Sequence, residues 1–304
     1  MILTEVDFVK SITVFTPTYN REKLLPILYS GLCAQSNKDF VWLIIDDGSA
    51  DGTGELVKKW QEENIIEIKY VYKKNGGMHT AHNTAYRMID TELNVCVDSD
   101  DSMPPDAIES ILSFWGGVDD KEKVSGIIAL DSDFDGKVIG SFLPETNERI
   151  TLEKLVKSHG VTGDKKFIYR TNVMREMPEY PEYEGEKLVP LSYKYWLADR
   201  EYPFAVMNKV VCLVNYQPDG STGTIKKQYF ESPRGFMVFK REQMIYPRIF
   251  ERRFKSAIHY VCFNKILGEK GYLKNSPKKL LTAAALPLGL LYYKKMLKTK
   301  KENL

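Results

Sequence analysis

Along the first hundred positions two hydrophobic patterns alternate. Short unbroken apolar runs, of the kind a strand covered on both faces requires, are followed by stretches in which Leu, Val or Ile recurs at three- and four-residue spacing. Residues 12–19 are β-branched and aromatic, and Asn20-Arg21-Glu22 then opens a helical pattern through Leu24, Leu25, Leu28 and Leu32. Residues 40–45 predict a second strand that runs into Asp46-Asp47-Gly48-Ser49, and 54–62 a second helix. Strand 66–72 and helix 80–89 repeat the unit around Asn75-Gly76-Gly77, and a fourth strand, 94–97, stops on Asp98-Ser99-Asp100-Asp101. Strands alternating with helices predict an α/β fold with a mostly parallel sheet, whose ligand crevice lies beyond the carboxyl ends of the strands. Every unusual polar cluster of this region stands at one of those ends.

The second half is less periodic. A helix over 106–114, a strand over 126–130, a hairpin about Asp135-Gly136 over 131–140 and a last strand over 204–214 are predicted, with weaker patterning across 151–199. From 228 onward long basic helices are expected, the last carrying the apolar run 280–293 between Lys278-Lys279 and Lys294, Lys295, Lys298, Lys300 and Lys301. Composition adds mainly exclusions. In 304 residues, 43 Lys and Arg against 41 Asp and Glu leave no charge excess of the kind a nucleic-acid partner demands. Cys33, Cys96, Cys212 and Cys262 are widely spaced in apolar surroundings, which predicts free thiols in a reducing compartment. The acidic first residues do not resemble a secretory leader, so a cytoplasmic location is expected.

Three carboxylates in four residues at a buried strand end repel one another and call for a positive partner. Hard oxygen ligands suit Mg²⁺ or Mn²⁺ completed by water and phosphate oxygens; the competing reading is a solvated turn that caps the helix after Pro104-Pro105. Asp46-Asp47 stands at another strand end, where acids accept hydrogen bonds from ribose or base, although Asp-Gly-Ser is also ordinary turn chemistry. Pro17-Thr18-Tyr19-Asn20 brings a ring to a third strand end. Asn75-Gly76-Gly77 leads into a helix N-terminus whose amides, Gly77 included, can face phosphate. His79 and His82 lack the partner spacing of a zinc site.

Taken in order, Thr16-Pro17-Thr18-Tyr19-Asn20-Arg21, Ile44-Ile45-Asp46-Asp47-Gly48-Ser49 with Asp51-Gly52-Thr53, Asn75-Gly76-Gly77 with His82-Asn83, and Asp98-Ser99-Asp100-Asp101 resemble family 2 glycosyltransferases over residues 10–130. The resemblance implies a GT-A (nucleotide-diphospho-sugar transferase), Rossmann-like mixed, mostly parallel sheet with a helical C-terminal extension. It implies inverting transfer of one sugar from a nucleotide-sugar donor, UDP-linked for preference, to a saccharide or lipid-linked saccharide acceptor in surface-polysaccharide synthesis. By the same resemblance Tyr19 and Asp47 contact the base, Asp98 or Asp100 the ribose, and Asp100 and Asp101 the metal and diphosphate. Thr16, Pro17, Gly77 and Asn83 are further donor contacts, and Met78 stands where a phosphate-binding Lys or Arg would be expected. The family's base is often the Asp of a Glu-Asp pair. Here Tyr183-Glu184-Gly185-Glu186 follows Tyr180-Pro181-Glu182, which makes Glu186 the candidate base, with Glu184 and Asp164 as fallbacks. Trp196 is a candidate acceptor wall and 219–222 a candidate closing loop. The processive signature Gln-x-x-Arg-Trp is not found in the sequence. A sugar-nucleotide nucleotidyltransferase and an inactive nucleotide-sugar-binding protein are the alternative functions.

The apolar run 280–293 is too short to span about 30 Å of hydrocarbon, which takes about 20 residues, and it contains Pro287 and Gly289. Between lysines it reads as an interfacial segment on an anionic membrane surface, engaged through 278–301, or as a packed terminal helix. The expected organisation is a catalytic domain over 1–225, with a nucleotide half 1–103 and an acceptor half 104–225, and a basic extension over 226–304.

Overall fold

A computed structural model of the chain describes residues 10–215, 225–246 and 249–302. Seven strands, β1 (Ile12–Thr18), β2 (Phe40–Asp46), β3 (Ile68–Tyr72), β4 (Leu93–Cys96), β5 (Gly126–Ser132), β6 (Lys165–Arg170) and β7 (Phe204–Leu213), form a sheet in the order β3-β2-β1-β4-β6-β5-β7. β1, β2 and β5 are buried at every residue, which is why their sequences are continuous apolar runs and not alternations. Helices α1 (Leu25–Cys33), α2 (Thr53–Glu63), α3 (Met78–Met88) and α4 (Ala107–Gly116) separate the first five strands. Tyr29, Trp42 and Trp60 stack with centroids 4.2–6.2 Å apart in the core between β2 and its helices. Pro17 is tolerated in a central strand because it lies past Phe15, the last β1 residue that β4 pairs.

Helix α1 begins five residues after Asn20. Asn20 holds a left-handed φ of +53° and is tied to the loop after β2: its N–H donates to Ser49 Oγ (2.8 Å), and its Oδ1 accepts from the Ala50 N–H (2.8 Å). The local helical pattern thus yields to a loop-to-loop clasp. The expected hairpin at 131–140 reduces to one bridge, Ser132 to Val138, around Gly136 at φ +82°. Strand β6 was not legible in the hydrophobic pattern, since it opens Lys165-Lys166. It is antiparallel to both neighbours, β4 and β5, whereas β1, β2, β3 and β4 pair parallel, as do β5 and β7.

Two compact units result, and their division is discontinuous, unlike a single cut at 225/226. One comprises Met1–Pro178 and Ala198–Asn215; the other comprises Glu179–Leu197 and Tyr216–Leu304. The first holds the sheet, α5 (Leu152–Ser158) and α6 (Thr171–Glu176); α7 (Ser192–Glu201) crosses the division. The second holds α8 (Ile225–Glu231), α9 (Pro233–Ile245), α10 (Phe250–Ile266) and α11 (Lys279–Glu302). Helix α11 runs through Pro287, which is exposed, so the carbonyl it leaves without an amide partner can meet water. Gly289 lets α11 close onto α10: a Cβ there would stand 2.6 Å from Val261 Cβ. All four cysteines are free, Cys212 and Cys262 buried, Cys33 and Cys96 half-buried.

Candidate active site

The carboxyl ends of the parallel strands carry two acidic motifs in very different states. Asp46 ends β2, Asp47 follows it, and both are buried. Asp46 Oδ2 accepts from the Tyr70 hydroxyl (2.6 Å) and Oδ1 from the Ser49 N–H (2.7 Å). Asp47 Oδ1 accepts from Lys73 Nζ (2.6 Å) and the Gly76 N–H (2.9 Å), and Oδ2 from the Gly77 N–H (2.7 Å) and Asn75 Nδ2 (3.2 Å). Four donors fill the four acceptor sites of a carboxylate. The glycine-loop amides of Gly76 and Gly77 are aimed at Asp47, which anchors the loop. Gly48 is required here, with φ +86° and a would-be Cβ 2.8 Å from the Asn75 nitrogen. Lys73, just past β3, is spent on this anchor: besides Asp47 it donates to the Lys74 carbonyl (2.8 Å) and Thr80 Oγ1 (2.7 Å).

The second motif is the turn after β4. Asp98 is exposed, Asp100 half-buried and Asp101 buried. Asp101 Oδ1 accepts from the Asn215 N–H (3.0 Å), and the cysteine thiol of Cys212 points to its Oδ2 (3.8 Å). Paired backbone bonds between Ser102 and Leu213 (2.8 and 2.9 Å) fix the turn to the end of β7. Burial, more than the neighbouring Asp98 and Asp100, pushes the Asp101 carboxyl up to about 6, while Lys166 opposes the rise. Asp101 is therefore turned inward as an anchor, while Asp98 is exposed and Asp100 half-buried on the same turn.

β6 delivers the unexpected residue. Because it runs antiparallel, its first residues lie at the edge where β4 and β5 end. Lys166, its side chain 13 % exposed, sits 3.9 Å from Asp131 Oδ1 at the end of β5. Burial works against its charge, yet the carboxylates of Asp131, Asp101 and Asp98 around it hold the ammonium well above the ordinary lysine range. Asp131 is 2 % exposed, and its Oδ1 has no hydrogen-bond partner; burial raises its carboxyl from the usual range. Thr18 Oγ1, at the end of β1, is likewise buried without a partner. Buried oxygens without a hydrogen bond are rare, and two of them stand at this edge of the sheet.

The remaining candidates divide. Tyr19 is 48 % exposed beyond β1 and available to a planar ligand. Thr16 is fully buried, and its Oγ1 accepts from the Trp42 indole (2.9 Å), so its hydroxyl serves the core. Pro17 is a β1 residue paired beside Ile45, Gly77 opens α3 at φ +94°, and Asn83 is buried within α3. His82 packs edge-on against Phe15 (5.0 Å) with Nε2 3.7 Å from Cys96 Sγ, a core residue and not a zinc ligand. Among the described residues no three His, Cys, Asp or Glu side chains are already gathered around a metal position. The oxygen donors of Asp98 and Asp100 fit a hard divalent cation that completes its shell with diphosphate oxygens.

In the second unit, Glu186 is 7 % exposed at its side chain. It accepts from the backbone N–H groups of Arg234 (3.2 Å) and Gly235 (3.0 Å) at the start of α9, with the Arg234 guanidinium 3.7 Å away. A carboxylate is favoured at a helix N-terminus, so Glu186 is rigidly held there. Glu184 and Asp164 are exposed. Trp196 meets Tyr246 edge-on (5.8 Å) under Arg252. The loop 219–222 lies outside the described residues.

A mixed seven-stranded sheet with carboxylates and an exposed ring at its strand ends defines a GT-A-type α/β fold. The sequence matches the model of glycosyl transferase family 2 over residues 13–168, just over half of the chain. This protein belongs to glycosyl transferase family 2. It is similar to the glycosyltransferase GlyA of Streptococcus pneumoniae, 32% identical over 100 residues, which are 33% of this chain and 14% of that protein. Its fold is similar to that of S. aureus TarS 1-349 in complex with UDP, with TM-score 0.57 and 17% identity over 97% of this chain and 92% of that one. It is also similar to the mannosyltransferase PcManGT from Pyrobaculum calidifontis in complex with GDP-Man and Mn²⁺, with TM-score 0.54 and 16% identity over 95% and 83%.

Proposed function

We propose that this glycosyltransferase moves one sugar from a nucleotide diphosphate sugar, a UDP-sugar for preference, to a hydroxyl of a saccharide or lipid-linked saccharide in surface-polysaccharide synthesis, inverting the anomeric carbon. The observation that carries the reading is the acidic turn at the strand ends: Asp98 is exposed and Asp100 half-buried on a turn anchored by Asp101, beside buried Thr18 and Asp131 oxygens that make no hydrogen bond. Similar folds that hold UDP, or GDP-Man with Mn²⁺, support it.

Each residue then has a defined task. Tyr19 stacks on the base, and Asp47 keeps the glycine loop in the shape that borders the nucleotide. Asp98 or Asp100 accepts from the ribose. Asp100, with Asp98 in the place the resemblance gives to Asp101, holds Mn²⁺ or Mg²⁺, which supplies positive charge to the leaving diphosphate. Lys166 keeps Asp101 and Asp131 ionised, so that the turn holds its shape when the site is empty. Glu186, oriented by two backbone amides, takes the proton of the acceptor hydroxyl, with Glu184 and Asp164 next in line. The exposed leucines and lysines of α11 support a location on the cytoplasmic face of an anionic membrane, where a lipid-linked acceptor would be found.

The test is donor hydrolysis across a panel of UDP-, GDP- and dTDP-sugars with and without Mn²⁺. Metal-dependent release of one nucleoside diphosphate, lost in Asp100→Ala, supports the reading. Pyrophosphate release from a nucleoside triphosphate and a sugar phosphate would assign a nucleotidyltransferase instead, and inertness toward every donor an inactive binding protein.

A further inference from the structure

The second unit carries a feature that sugar transfer does not use. Where α11 begins, a groove of about 710 Å³ opens against α9 and α10, lined on the apolar side by Met244, Phe250 and Leu281 and on the cationic side by Arg253, Lys278 and Lys279. Its volume is that of a site for one amphiphilic molecule, and its lining separates an apolar floor from a cationic rim. The apolar residues around it are not covered: Phe250 is 70 % exposed and Leu280 88 %. Lys278 and Lys279 are exposed and make no ion pair among the described residues. Ser276, whose hydroxyl accepts from the Lys278 N–H (3.0 Å) and bonds Thr282 Oγ1 (2.6 Å), fixes the turn that presents both lysines.

The groove continues into a stripe. Leu280, Ala284, Leu288 and Leu291 fall at helical spacing on one exposed face of α11, and the same face goes on to Lys295 and Lys298. From Leu280 to Leu291 the stripe runs about 17 Å. The opposite face is committed to α10, with Ala285 buried and Gly289 against Val261. An apolar face bounded by cations at both ends, on a helix whose other side is already packed, suits the plane of an anionic interface and not a span, and no helix among the described residues is long and apolar enough to cross a membrane.

We propose that this groove binds a single anionic phospholipid at a membrane surface. The headgroup phosphate is held by Arg253, Lys278 and Lys279, one acyl chain lies along Met244, Phe250 and Leu281, and Leu280, Leu288 and Leu291 rest in the interface. The charge pattern selects this occupant: a second copy of the chain would bring the same cations against this rim, whereas a phosphodiester with an acyl chain matches both halves of the lining. The inference rests on the membrane part of the reading above and is independent of the donor chemistry.

The experiment is co-sedimentation of the full chain with vesicles of phosphatidylcholine alone or with phosphatidylglycerol, with donor hydrolysis measured on the same preparations. Binding to the anionic vesicles only is expected. Lys278→Glu with Lys279→Glu should weaken it by at least about 25-fold, from roughly fivefold per basic residue near a charged surface. Leu280→Asp should abolish vesicle binding while Leu297→Asp leaves most of it, with helical circular dichroism unchanged in each variant. Glycerol phosphate at millimolar concentration should not displace the protein, because the acyl chain is part of the recognition. Failure of the wild type to sediment would overturn the proposal. So would wild-type sedimentation of the Lys278 and Lys279 variant, or a dimer in solution that Phe250→Ser dissociates. Vesicle binding without hydrolysis would count against sugar transfer alone, and hydrolysis without vesicle binding against the groove alone.

Discussion

Asp46-Asp47 and Asp98–Asp101 look alike on paper: each is an acidic cluster at the end of a parallel strand. In the fold they are opposites. The first is saturated, with Asp47 alone drawing on Lys73, Asn75 and two backbone amides. The second has one inward anchor, an exposed Asp98, a half-buried Asp100 and a buried neighbour, Asp131, whose Oδ1 makes no hydrogen bond. Acids that the protein satisfies by itself build scaffold, and acids that remain accessible at a strand end can meet a ligand as well.

The contrast fixes how the two motifs should respond to mutation. Asp100→Ala should lower donor turnover by about 10³-fold, a loss of the size seen when preorganised charge stabilisation is removed. Its melting temperature should stay within a few degrees of wild type; an equal loss of fold and rate would erase the distinction. Asp47→Ala should do the reverse. Stranding Lys73 and the two glycine amides should cost about 3 kcal/mol, a fall of roughly 6–12 °C in melting temperature for a unit of this size. A stable Asp47→Ala protein would show that the saturated motif is not scaffold.

Next in size is a pH effect confined to the second motif. Asp101 titrates near 6 in the folded state, raised chiefly by burial, against an ordinary value near 3.8. Between these values the native state keeps a proton that the unfolded state has lost, so stability should fall as pH rises from 4 to 6, by on the order of 2 kcal/mol. Melting curves of Asp101→Asn with chelator present should be correspondingly flatter than wild type over that range. The smallest effect is expected from Tyr19→Ala, which removes an exposed stacking surface and should weaken nucleotide affinity about tenfold without altering turnover at saturation.

Sequence reading reached one side of this contrast better than the other. Strands β1, β2 and β4 were plain because burial on both faces makes apolar runs, and their polar termini marked the ligand edge. What the pattern did not carry was pairing across distance. Lys73 lies 26 residues from Asp47 and looks like part of a solvated Lys73-Lys74 pair. Lys166 opens a strand that reads as a charged loop, because the residue that needs burial there is a cation serving Asp131 and Asp101. Thr16 was assigned to the donor by its motif, and only the Trp42 indole shows that its hydroxyl faces the core. Pro287 and Gly289 suggested interruption, yet exposure excuses the first and the approach of α10 requires the second.

The claim on which the rest depends is that the open acidic turn binds cation and donor together. Calorimetric titration of UDP-GlcNAc and other nucleotide sugars into the protein, with Mn²⁺ and with chelator, measures this directly. The account predicts binding that requires Mn²⁺ for at least one donor and disappears in Asp100→Ala while Asp101→Asn retains it in weakened form. Equal affinity with and without metal, or binding unchanged by Asp100→Ala, would contradict it.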